Sequence, residues 1–446
     1  MKQKVKSLLK KMPGIKQIHR KMETLERQLS EIERKNTLLA QEAISLRLKM
    51  KKLNHEPINV VFVCHRPQIW SSLKSICDQC LEDPLFHVTI VAIPNKKQLP
   101  GIGLNHENYE SEGAEEYFEH HYDCTIRGYD YETDTWLDLY SLAPDYLFFQ
   151  SPYNICRPPM YHSDVVSTFT KLCFVPYGVQ VLGGEVEESV YPVDFVKNLD
   201  FLFVESKIRI QFFEKMIKPA QNFSRDSILS IGYPRYDNLE KLYDCESKSW
   251  HLDRTRFRIV WTPRWLTDEG NCHFFDYKET LLDFAKEHST SVEFLFRPHP
   301  QMFVNFAATG ELPVCEAEDY KKRIQETENA SIDTQGSYIE TFYSSDVLVT
   351  DGSSIIPEYF LTGKPIIYCH KLYDNFTDFG KALSEGYYWA NNWQEVRMYL
   401  DQLRRGDDPM LEKRKQMIQD LFEISQVSAG FRIKEKMKED YFSKGE

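Results

Sequence analysis

The sequence predicts an α/β protein with two Rossmann-type domains, preceded by a long helix with the pattern of a coiled coil. The 446 residues exceed what one hydrophobic core usually organises, and 42% of them are hydrophobic, enough for two cores. Short apolar runs alternate with helical or polar stretches in two series, one beginning after Pro57 and one at Phe257. The region before Pro57 has a different period, which indicates a separate element.

The N-terminal region carries the clearest periodic signal in the chain. Between residues 15 and 54 the seam residues recur alternately three and four positions apart, the spacing of a left-handed coiled coil. The seam consists of Ile15, Ile18, Met22, Leu25, Leu29, Ile32, Asn36, Leu39, Ala43, Leu46, Met50 and Leu53. Leucines at d and a single asparagine at an a position favour a parallel homodimer through residues 15–54. The alternative is one long amphipathic helix laid against its own globular part.

Residues 1–14 form a basic amphipathic leader. Eight lysines and arginines precede the first acidic residue, Glu23, although the whole chain has a net charge of -12. Val5, Leu8, Leu9 and Met12 add a short apolar face among the lysines. Such a segment suits an anionic membrane surface, and a merely solvated basic tail is the alternative.

Composition excludes several classes of protein and of site. An acidic pI near 5.6 argues against a nucleic-acid partner. The ten cysteines follow no disulfide framework, which indicates reduced thiols and a cytoplasmic protein, and Cys77 and Cys80 are interpreted as packing residues. No apolar run is long enough to span a membrane, and the start lacks a signal-peptide core. We therefore expect a cytoplasmic protein, either free or peripheral on the inner face of the plasma membrane.

The first domain is predicted to cover residues 57–235. Ile58–Cys64 reads as a buried parallel strand and is followed by a helical stretch from about Ile69 to Leu81. Further short apolar runs are Val88–Ile93, Tyr146–Phe149, Lys171–Val175 and Phe201–Val204. The stretch 101–138 has no clear period and is expected to be surface structure over the cleft. Its Asp130, Asp134, Asp138 and the pair His120–His121 are interpreted as solvated groups, so no metal site is predicted.

The second domain is predicted to cover residues 236–393, and charged helices at 394–446 are expected to pack back on both domains. Each strand of its series is followed at once by a polar cluster. Ligands of open α/β sheets lie outside the carboxyl ends of the strands, so these clusters point to one cleft.

The clusters carry phosphate-binding chemistry. In Thr350-Asp351-Gly352-Ser353-Ser354 the glycine permits close backbone approach, while free amides and serine hydroxyls face an anion. A helix N-cap is the alternative interpretation. Arg297-Pro298-His299-Pro300 sets a forked cation beside an imidazole, and Thr262-Pro263-Arg264 adds another cation. The alternative interpretation of the segment from Arg297 to Pro300 is a strand-end turn with a capped histidine.

These motifs, in their order, resemble the CDP-glycerol glycerophosphotransferase family. The resemblance covers roughly residues 170–390 and also includes Gly232–Asp237 and Lys364–Tyr368. It implies a GT-B-like pair of domains that builds teichoic-acid-like or capsular polymers. The implied partners are a CDP-activated polyol donor, glycerol-phosphate first, and a glycan or lipid-linked acceptor. No cofactor is implied beyond the CDP-linked substrate.

The resemblance and the strand-end rule together nominate the site residues. The donor set is Arg264, Arg297, His299, Thr350, Asp351, Gly352, Ser353, Ser354 and Glu358, with Glu358 expected on ribose or glycerol hydroxyls. The acceptor set is Tyr177, Gly178 and Arg235. His299 is a catalytic candidate that donates to the leaving phosphate.

The chain departs from the family pattern at two positions. Tyr177 stands where the family has a histidine, and a tyrosine with a pKa near ~10 is a poor general base at neutral pH. His65, just beyond the first strand, is the substitute base, with a turn or helix-cap role as its alternative. Gly352 replaces a family tyrosine, which opens the pocket.

Two other functions fit the same sequence. A glycosyltransferase on this architecture would use a sugar nucleotide, because the cleft motifs do not specify the group beyond the last phosphate. A non-catalytic scaffold of a polymer-assembly complex would explain the coiled coil together with the missing histidine at 177.

Overall fold

The fold is described from a computed structural model of the chain. The structure describes residues 13–96, 109–111, 113–183, 190–217, 225–237, 239, 245–267, 272–334, 338–352, 354–371 and 375–443. The first 12 residues of the predicted basic leader lie outside these ranges, and so does Ser353.

The first domain is built on a seven-stranded parallel sheet. Its region contains β1 Ile58–Cys64, β2 Phe86–Ala92, β3 Asn95–Lys96, β4 Tyr109–Glu110, β5 Thr125–Arg127, β6 Tyr129–Asp130, β7 Thr135–Trp136, β8 Tyr146–Phe149, β9 Lys171–Phe174, β10 Phe201–Val204 and β11 Ile228–Ser230. The sheet has the order β11-β10-β9-β8-β1-β2-β5, and all of its pairs are parallel. Apolar strands buried on both faces are typical of such a sheet.

The described part of the stretch 101–138 is more structured than the sequence predicts. Thr125–Arg127 adds the edge strand of the main sheet by pairing with β2. β3 with β4, and β6 with β7, form two small antiparallel ribbons. The edge strand has only three residues, too few to show a period.

The second domain is built on a six-stranded parallel sheet. Its strands are β12 Phe257–Thr262, β13 Val292–Phe296, β14 Ala330–Ile332, β15 Val347–Thr350, β16 Ile366–Cys369 and β17 Tyr388–Ala390. The order is β14-β13-β12-β15-β16-β17. The polar clusters predicted from the sequence follow β12, β13 and β15, which are neighbours, so their carboxyl ends share one edge.

Helices cover the faces of both sheets. They are α1 Pro13–Leu53, α2 Ser71–Leu81, α3 Ala114–His121, α4 Ser163–Val166, α5 Val193–Val196, α6 Lys207–Ile217, α7 Phe274–Glu287, α8 Met302–Thr309, α9 Val314–Gln325, α10 Ile339–Ser344, α11 Ile356–Phe360, α12 Asp378–Ser384, α13 Trp393–Arg404, α14 Leu411–Leu421 and α15 Ala429–Ser443.

The C-terminal helices pack on both domains. Val396, Leu400 and Leu403 of α13 lie in the core of the second domain. α15 packs instead on α2 of the first domain, and the Tyr146 hydroxyl donates to the Met437 carbonyl at 3.0 Å. The end of the chain therefore crosses from the second domain back to the first.

α1 uses two different faces. Ile44 and Leu48 are buried against the first domain, and Arg47 donates to the Phe169 carbonyl at 2.9 Å. The predicted seam points elsewhere, since Leu39 is 63% exposed and Leu46 is 61% exposed. The helix thus packs on its own domain through its last turns and leaves the heptad seam uncovered. The coiled coil itself stays a prediction.

The described helices include none that is long and apolar enough to cross a bilayer. All ten cysteines are free thiols, and Cys77 and Cys80 are buried in α2. Burial raises the pKa of both thiols, consistent with a packing role.

Candidate active site in the interdomain cleft

A cavity of about 330 Å³ lies between the carboxyl edges of the two sheets. Tyr177 and Gly178 line it from the loop after β9 of the first domain. Arg235 lines it from the segment after β11, and Ser354 and Glu358 from the segment after β15. The structure thus brings together five residues that the sequence nominated from three separate motifs.

Arg235 and Glu358 form the buried centre of the cavity wall. Arg235 Nε lies 3.2 Å from Glu358 Oε1, and Glu358 is only 3% exposed. Burial raises the pKa of Glu358, while the Arg235 charge opposes that shift. The second carboxylate oxygen, Oε2, is buried and has no hydrogen-bond partner among the described residues. A ligand hydroxyl or a water is needed to satisfy it.

The cavity has two walls, an acceptor wall with Tyr177 and Gly178 and a donor wall with Tyr338, Ser354 and Glu358. Arg235 ties these two walls together. Its Nη1 donates to the Tyr177 carbonyl at 3.0 Å, and its Nη2 donates to the Tyr338 hydroxyl at 2.6 Å. The Tyr177 phenol lies 3.3 Å from the phenol of Tyr153. The Tyr177 hydroxyl, paired with that of Tyr153, is therefore available to hold an incoming hydroxyl group in the cavity.

Arg297 lies behind the donor wall. Its Nη1 donates to Asp333 at 2.5 Å, and the guanidinium stands 5.3 Å from the centre of the Tyr338 ring. Tyr338 lines the cavity, so Arg297 is one ring removed from it. In this geometry Arg297 backs Tyr338, and the Asp333 carboxylate pairs with its charge.

His299 is held by a neighbouring aromatic ring. Its imidazole stacks on Trp265 with centroids 5.0 Å apart, and its Nδ1 accepts from the Gln301 amide at 3.2 Å. Partial burial lowers the pKa of His299, which favours the neutral ring at pH 7. With Nδ1 accepting, the proton of the neutral ring lies on Nε2, where it can be donated.

Gly352 is required by its own backbone. Its φ is +120°, a conformation that L side chains rarely adopt, and an added Cβ would lie 3.4 Å from Arg264 Nη1. The Arg264 guanidinium therefore lies directly over this glycine. The glycine at position 352 thus lets an arginine lie close to the backbone of the predicted phosphate-binding motif.

Thr350 and Asp351 have supporting positions, which corrects their nomination as donor contacts. Thr350 is fully buried, and its hydroxyl donates to the Thr262 carbonyl at 2.9 Å. The Asp351 carboxylate accepts from the backbone amides of Arg264 and His273, each at 2.5 Å. Burial raises the pKa of Asp351 to about 7. Both side chains hold strand ends and loops together instead of facing the cavity.

The expected helix start at Ser354 is also corrected. α11 begins at Ile356 and has five residues, while Ser354 is an exposed turn residue at the cavity. So short a helix has little macrodipole to offer an anion.

His65 is not placed as a general base. It is 3% exposed at the end of β1, and the backbone amides of His65 and Arg66 both donate to Gln150 Oε1 at 2.9 Å. Burial and the charge of Arg157 lower the pKa of His65 to about 3, so its ring is a very weak base. The turn role that the sequence left open fits the structure better.

Three aromatic residues of the site were not found from the sequence. They are Tyr153, Tyr338 and Trp265, which follow β8, precede α10 and follow β12. Trp265 directly follows the Thr262–Arg264 motif, so its position after a strand was a usable signal. The other two lie in loops with no pattern that separates them from ordinary surface tyrosines.

The comparisons with known proteins agree with the family resemblance found in the sequence. Residues 189–379 match the family model of CDP-Glycerol:Poly(glycerophosphate) glycerophosphotransferase, which confirms the resemblance over these residues. The chain is 26% identical over 214 residues to the minor teichoic acid biosynthesis protein GgaB of Bacillus subtilis (strain 168). That match covers 44% of this chain and 20% of GgaB, so the chain spans about a fifth of the length of this curated relative.

Solved structures show the fold. The wall teichoic acid polymerase TagF is 16% identical with a TM-score of 0.54, covering 92% of this chain and 98% of that chain. The UDP-GlcNAc 2-epimerase from Neisseria meningitidis is 11% identical with a TM-score of 0.53, covering 86% of this chain and 100% of that chain. The predicted GT-B-like pair of Rossmann-type domains is therefore confirmed.

Proposed function

We propose, from the family match over residues 189–379, that this chain transfers glycerol-phosphate or a related polyol-phosphate in cell-surface polymer biosynthesis. The donor is CDP-activated, and the acceptor is a hydroxyl of a glycan or of a lipid-linked glycan. The observation that carries the proposal is the cavity between the sheets. Arg235, Ser354 and Glu358, all within the matched region, line it together with Tyr177.

The proposal places the donor along the second domain. Glu358 Oε2, buried and without a described partner, accepts a hydrogen bond from a hydroxyl of the ribose or of the polyol. The serine hydroxyl of Ser354 and the Arg264 guanidinium over Gly352 face the diphosphate. Arg297 supports Tyr338 from behind.

In the proposed reaction the acceptor oxygen attacks the β-phosphorus of the donor. A new bond forms between that oxygen and phosphorus, the bond from the β-phosphorus to the bridging oxygen breaks, and CMP leaves. His299 donates a hydrogen bond from Nε2 to the leaving phosphate, and the arginines stabilise its charge. The acceptor proton passes to solvent.

The absence of a histidine at position 177 does not prevent this chemistry. Phosphoryl transfer depends mainly on positioning and on charge stabilisation. Tyr177 and Tyr153, with phenols 3.3 Å apart, are placed to hold the acceptor hydroxyl in line. In this proposal Tyr177 orients the acceptor and does not act as its base.

The proposal includes a homodimer on the inner face of the plasma membrane. The seam of α1 is exposed on the chain, with Leu25 at 63% and Leu29 at 58% exposure, and a second copy would cover it. A parallel dimer brings two basic N-termini side by side, which strengthens attraction to anionic lipid.

The test is CMP release by the purified full chain with a crude polysaccharide acceptor. The donors are CDP-glycerol, CDP-ribitol and a panel of sugar nucleotides. We expect CMP from a CDP-polyol only, and we expect His299→Ala to lose about 10–1000-fold in kcat, because a donor to the leaving group is removed. His120→Ala, an exposed histidine on α3, is the matched control and should keep full activity.

The alternatives predict different results. Release of a nucleotide from a sugar nucleotide instead of a CDP-polyol would make the chain a glycosyltransferase. Nucleotide binding without turnover, with every donor and with added acceptor, would support the scaffold. Equal activity of His299→Ala and His120→Ala would refute the role given to His299.

A further inference from the structure

A second recess lies in the first domain, outside the cavity used by the proposed transfer. It has a volume of about 580 Å³ and is lined by the β6–β7 hairpin and its flanking residues, among them Arg127, Tyr131 and Trp136. We propose that this recess binds a neutral saccharide segment of the acceptor. The inference rests on the proposed function for the identity of the acceptor, but its binding test does not.

Aromatic rings form one wall of the recess. Tyr129 and Trp136 are paired across the hairpin, with ring centroids 4.8 Å apart. Tyr131 lies 4.8 Å from Tyr129 and is 48% exposed, and Tyr109 of β4 lies 5.0 Å from Trp136. Tyr129 is buried beneath the others, so the accessible rings are the exposed Tyr131 and the half-buried Trp136, which offer an apolar platform of the kind that packs against the C–H face of a sugar ring.

The platform is held rigid before any ligand arrives. The Tyr129 hydroxyl donates to Asp134 at 2.6 Å, and the Tyr131 hydroxyl donates to Glu115 at 3.1 Å. The Trp136 ring packs edge-on against Tyr161, 5.5 Å away. Side chains that are fixed in this way lose little entropy on binding, so the recess is preorganised.

The charge of the rim indicates a neutral ligand. Asp130 and Glu132 carry carboxylates at the recess, and carboxylate oxygens accept hydrogen bonds from sugar hydroxyls. Among the described lining residues Arg127 is the cation, and it already makes a two-bond ion pair with Glu119 at 2.7 and 2.8 Å. A polymer segment that carries phosphates would be repelled here, whereas an uncharged saccharide would not.

The recess lies on the same edge of the sheet as the cavity. The sheet is parallel, so the hairpin that follows β5 leaves the same carboxyl edge as the loop that follows β8 and contains Tyr153. Three strand spacings separate β8 from β5, about 14 Å in all. β3, whose partner strand β4 carries Tyr109, contacts the turn Asn154–Cys156 next to Tyr153, so these elements link the two sites. A saccharide in the recess would therefore present its end to the cavity from several sugar units away.

The test is binding of defined saccharides to the full chain. The neutral probes are maltotetraose, chitotetraose and lacto-N-tetraose, and the anionic probe is a glycerol-phosphate tetramer, each followed by saturation-transfer NMR and tryptophan fluorescence. We expect at least one neutral probe to bind and Tyr131→Ala to weaken it about fivefold or more, because a stacking face is lost. Tyr140→Ala removes a tyrosine outside the recess that is more exposed, 64% against 48%, and should have no effect.

Each other outcome overturns the proposal. It fails when no neutral probe binds, when Tyr131→Ala and Tyr140→Ala bind a neutral probe equally well, or when the glycerol-phosphate tetramer alone binds. CMP release from CDP-glycerol separates this result from the proposed function. Saccharide binding that depends on Tyr131 without any CMP release would refute the proposed transferase and support the saccharide site in the recess. Normal CMP release without saccharide binding would support the transferase and refute the saccharide site.

Discussion

At the scale of single residues, Arg235 joins the two halves of the cleft. One guanidinium contacts the Tyr177 carbonyl, the Tyr338 hydroxyl and the Glu358 carboxylate. The planar fork of arginine can serve three partners in fixed directions, and a lysine ammonium cannot reproduce that geometry. The cavity shape therefore depends on the identity of this residue as well as on its charge.

Asp351 gives a residue-scale prediction about pH. Its pKa is raised to about 7 by burial, above the value near ~3.9 of an unfolded aspartate. Between these values the folded chain holds the proton and the unfolded chain does not. The free energy of unfolding therefore falls as pH rises through this window, by at most about 1.4 kcal/mol per pH unit for this group, and levels off above it.

Urea unfolding of the natural chain and of Asp351→Asn at pH 5, 6, 7 and 8 checks this prediction. Asparagine does not titrate, so the stability difference between the two proteins should shift against the natural chain from pH 5 to pH 7 and level off by about pH 8. Asparagine also turns an NH₂ toward one of two backbone donors, at a cost of about 1–3 kcal/mol. A stability difference that is the same at all four pH values would refute the raised pKa.

The residues of the site show what sequence reasoning can reach. Tyr177, Arg235 and Glu358 were nominated from motifs that carry the family resemblance, and the structure brings them to one cavity because each follows a parallel strand, whose carboxyl ends share one edge. The same rule misplaced His65 and Asp351. At a strand end the turn decides whether a side chain faces the cleft or accepts backbone amides in the interior, and those amides come from distant segments. Such partners are set by tertiary structure and leave no local pattern.

At the scale of elements, strands were easier to predict than their surroundings. Apolar runs such as Ile58–Cys64 and Val292–Phe296 are strands because both of their faces are buried. The three-residue β5 and five-residue α11 are too short to show a period, and contacts with neighbouring elements determine them. α1 was clear as a helix, but its periodicity alone did not reveal which face would meet the globular part.

α1 gives a prediction that separates its two faces. Leu48 is 1% exposed in the contact with the first domain, whereas Leu46 is 61% exposed in the seam. Leu48→Ala should lower the stability of the docked helix by about 2–5 kcal/mol because it leaves a cavity. Leu46→Ala should leave that contact unchanged and weaken a dimer. Thermal unfolding and sedimentation velocity distinguish the two effects.

The matched pair also tests the proposed dimer. A monomer at all concentrations for both variants and for the natural chain would refute a homodimer through residues 15–54. Loss of dimer in Leu48→Ala with no change in Leu46→Ala would show that the docked face, and not the seam, joins the copies.

At the scale of the whole molecule, the two domains are tied beside the cavity. The Gly183 amide donates to the Asn375 carbonyl at 2.6 Å, and the Thr377 amide donates to the Val181 carbonyl at 2.9 Å. Val179 and Val181 of the first domain also share an apolar cluster with Phe379 of the second. This interdomain contact, residues 179–183 against 375–380, fixes the distance between the acceptor wall and the donor wall.

Gly380 is the tightest point of that interdomain contact. A Cβ on Gly380 would lie 2.2 Å from the Val181 carbonyl oxygen, which is backbone and cannot swing away. Gly380→Ala should therefore push the domains apart while each sheet stays folded. Nucleotide binding, which the proposal assigns to the second domain, should change little, and transfer should fall by about tenfold or more because the reacting groups are misaligned.

Lys381→Ala is the control, since this neighbour is exposed on the same helix. Circular dichroism checks folding of both variants, equilibrium dialysis with CDP-glycerol measures donor binding, and CMP release measures transfer. Transfer by Gly380→Ala equal to that of Lys381→Ala would show that the spacing of the domains is not set at this interdomain contact. Loss of donor binding in Gly380→Ala, with its fold intact, would instead place part of the nucleotide site on the first domain.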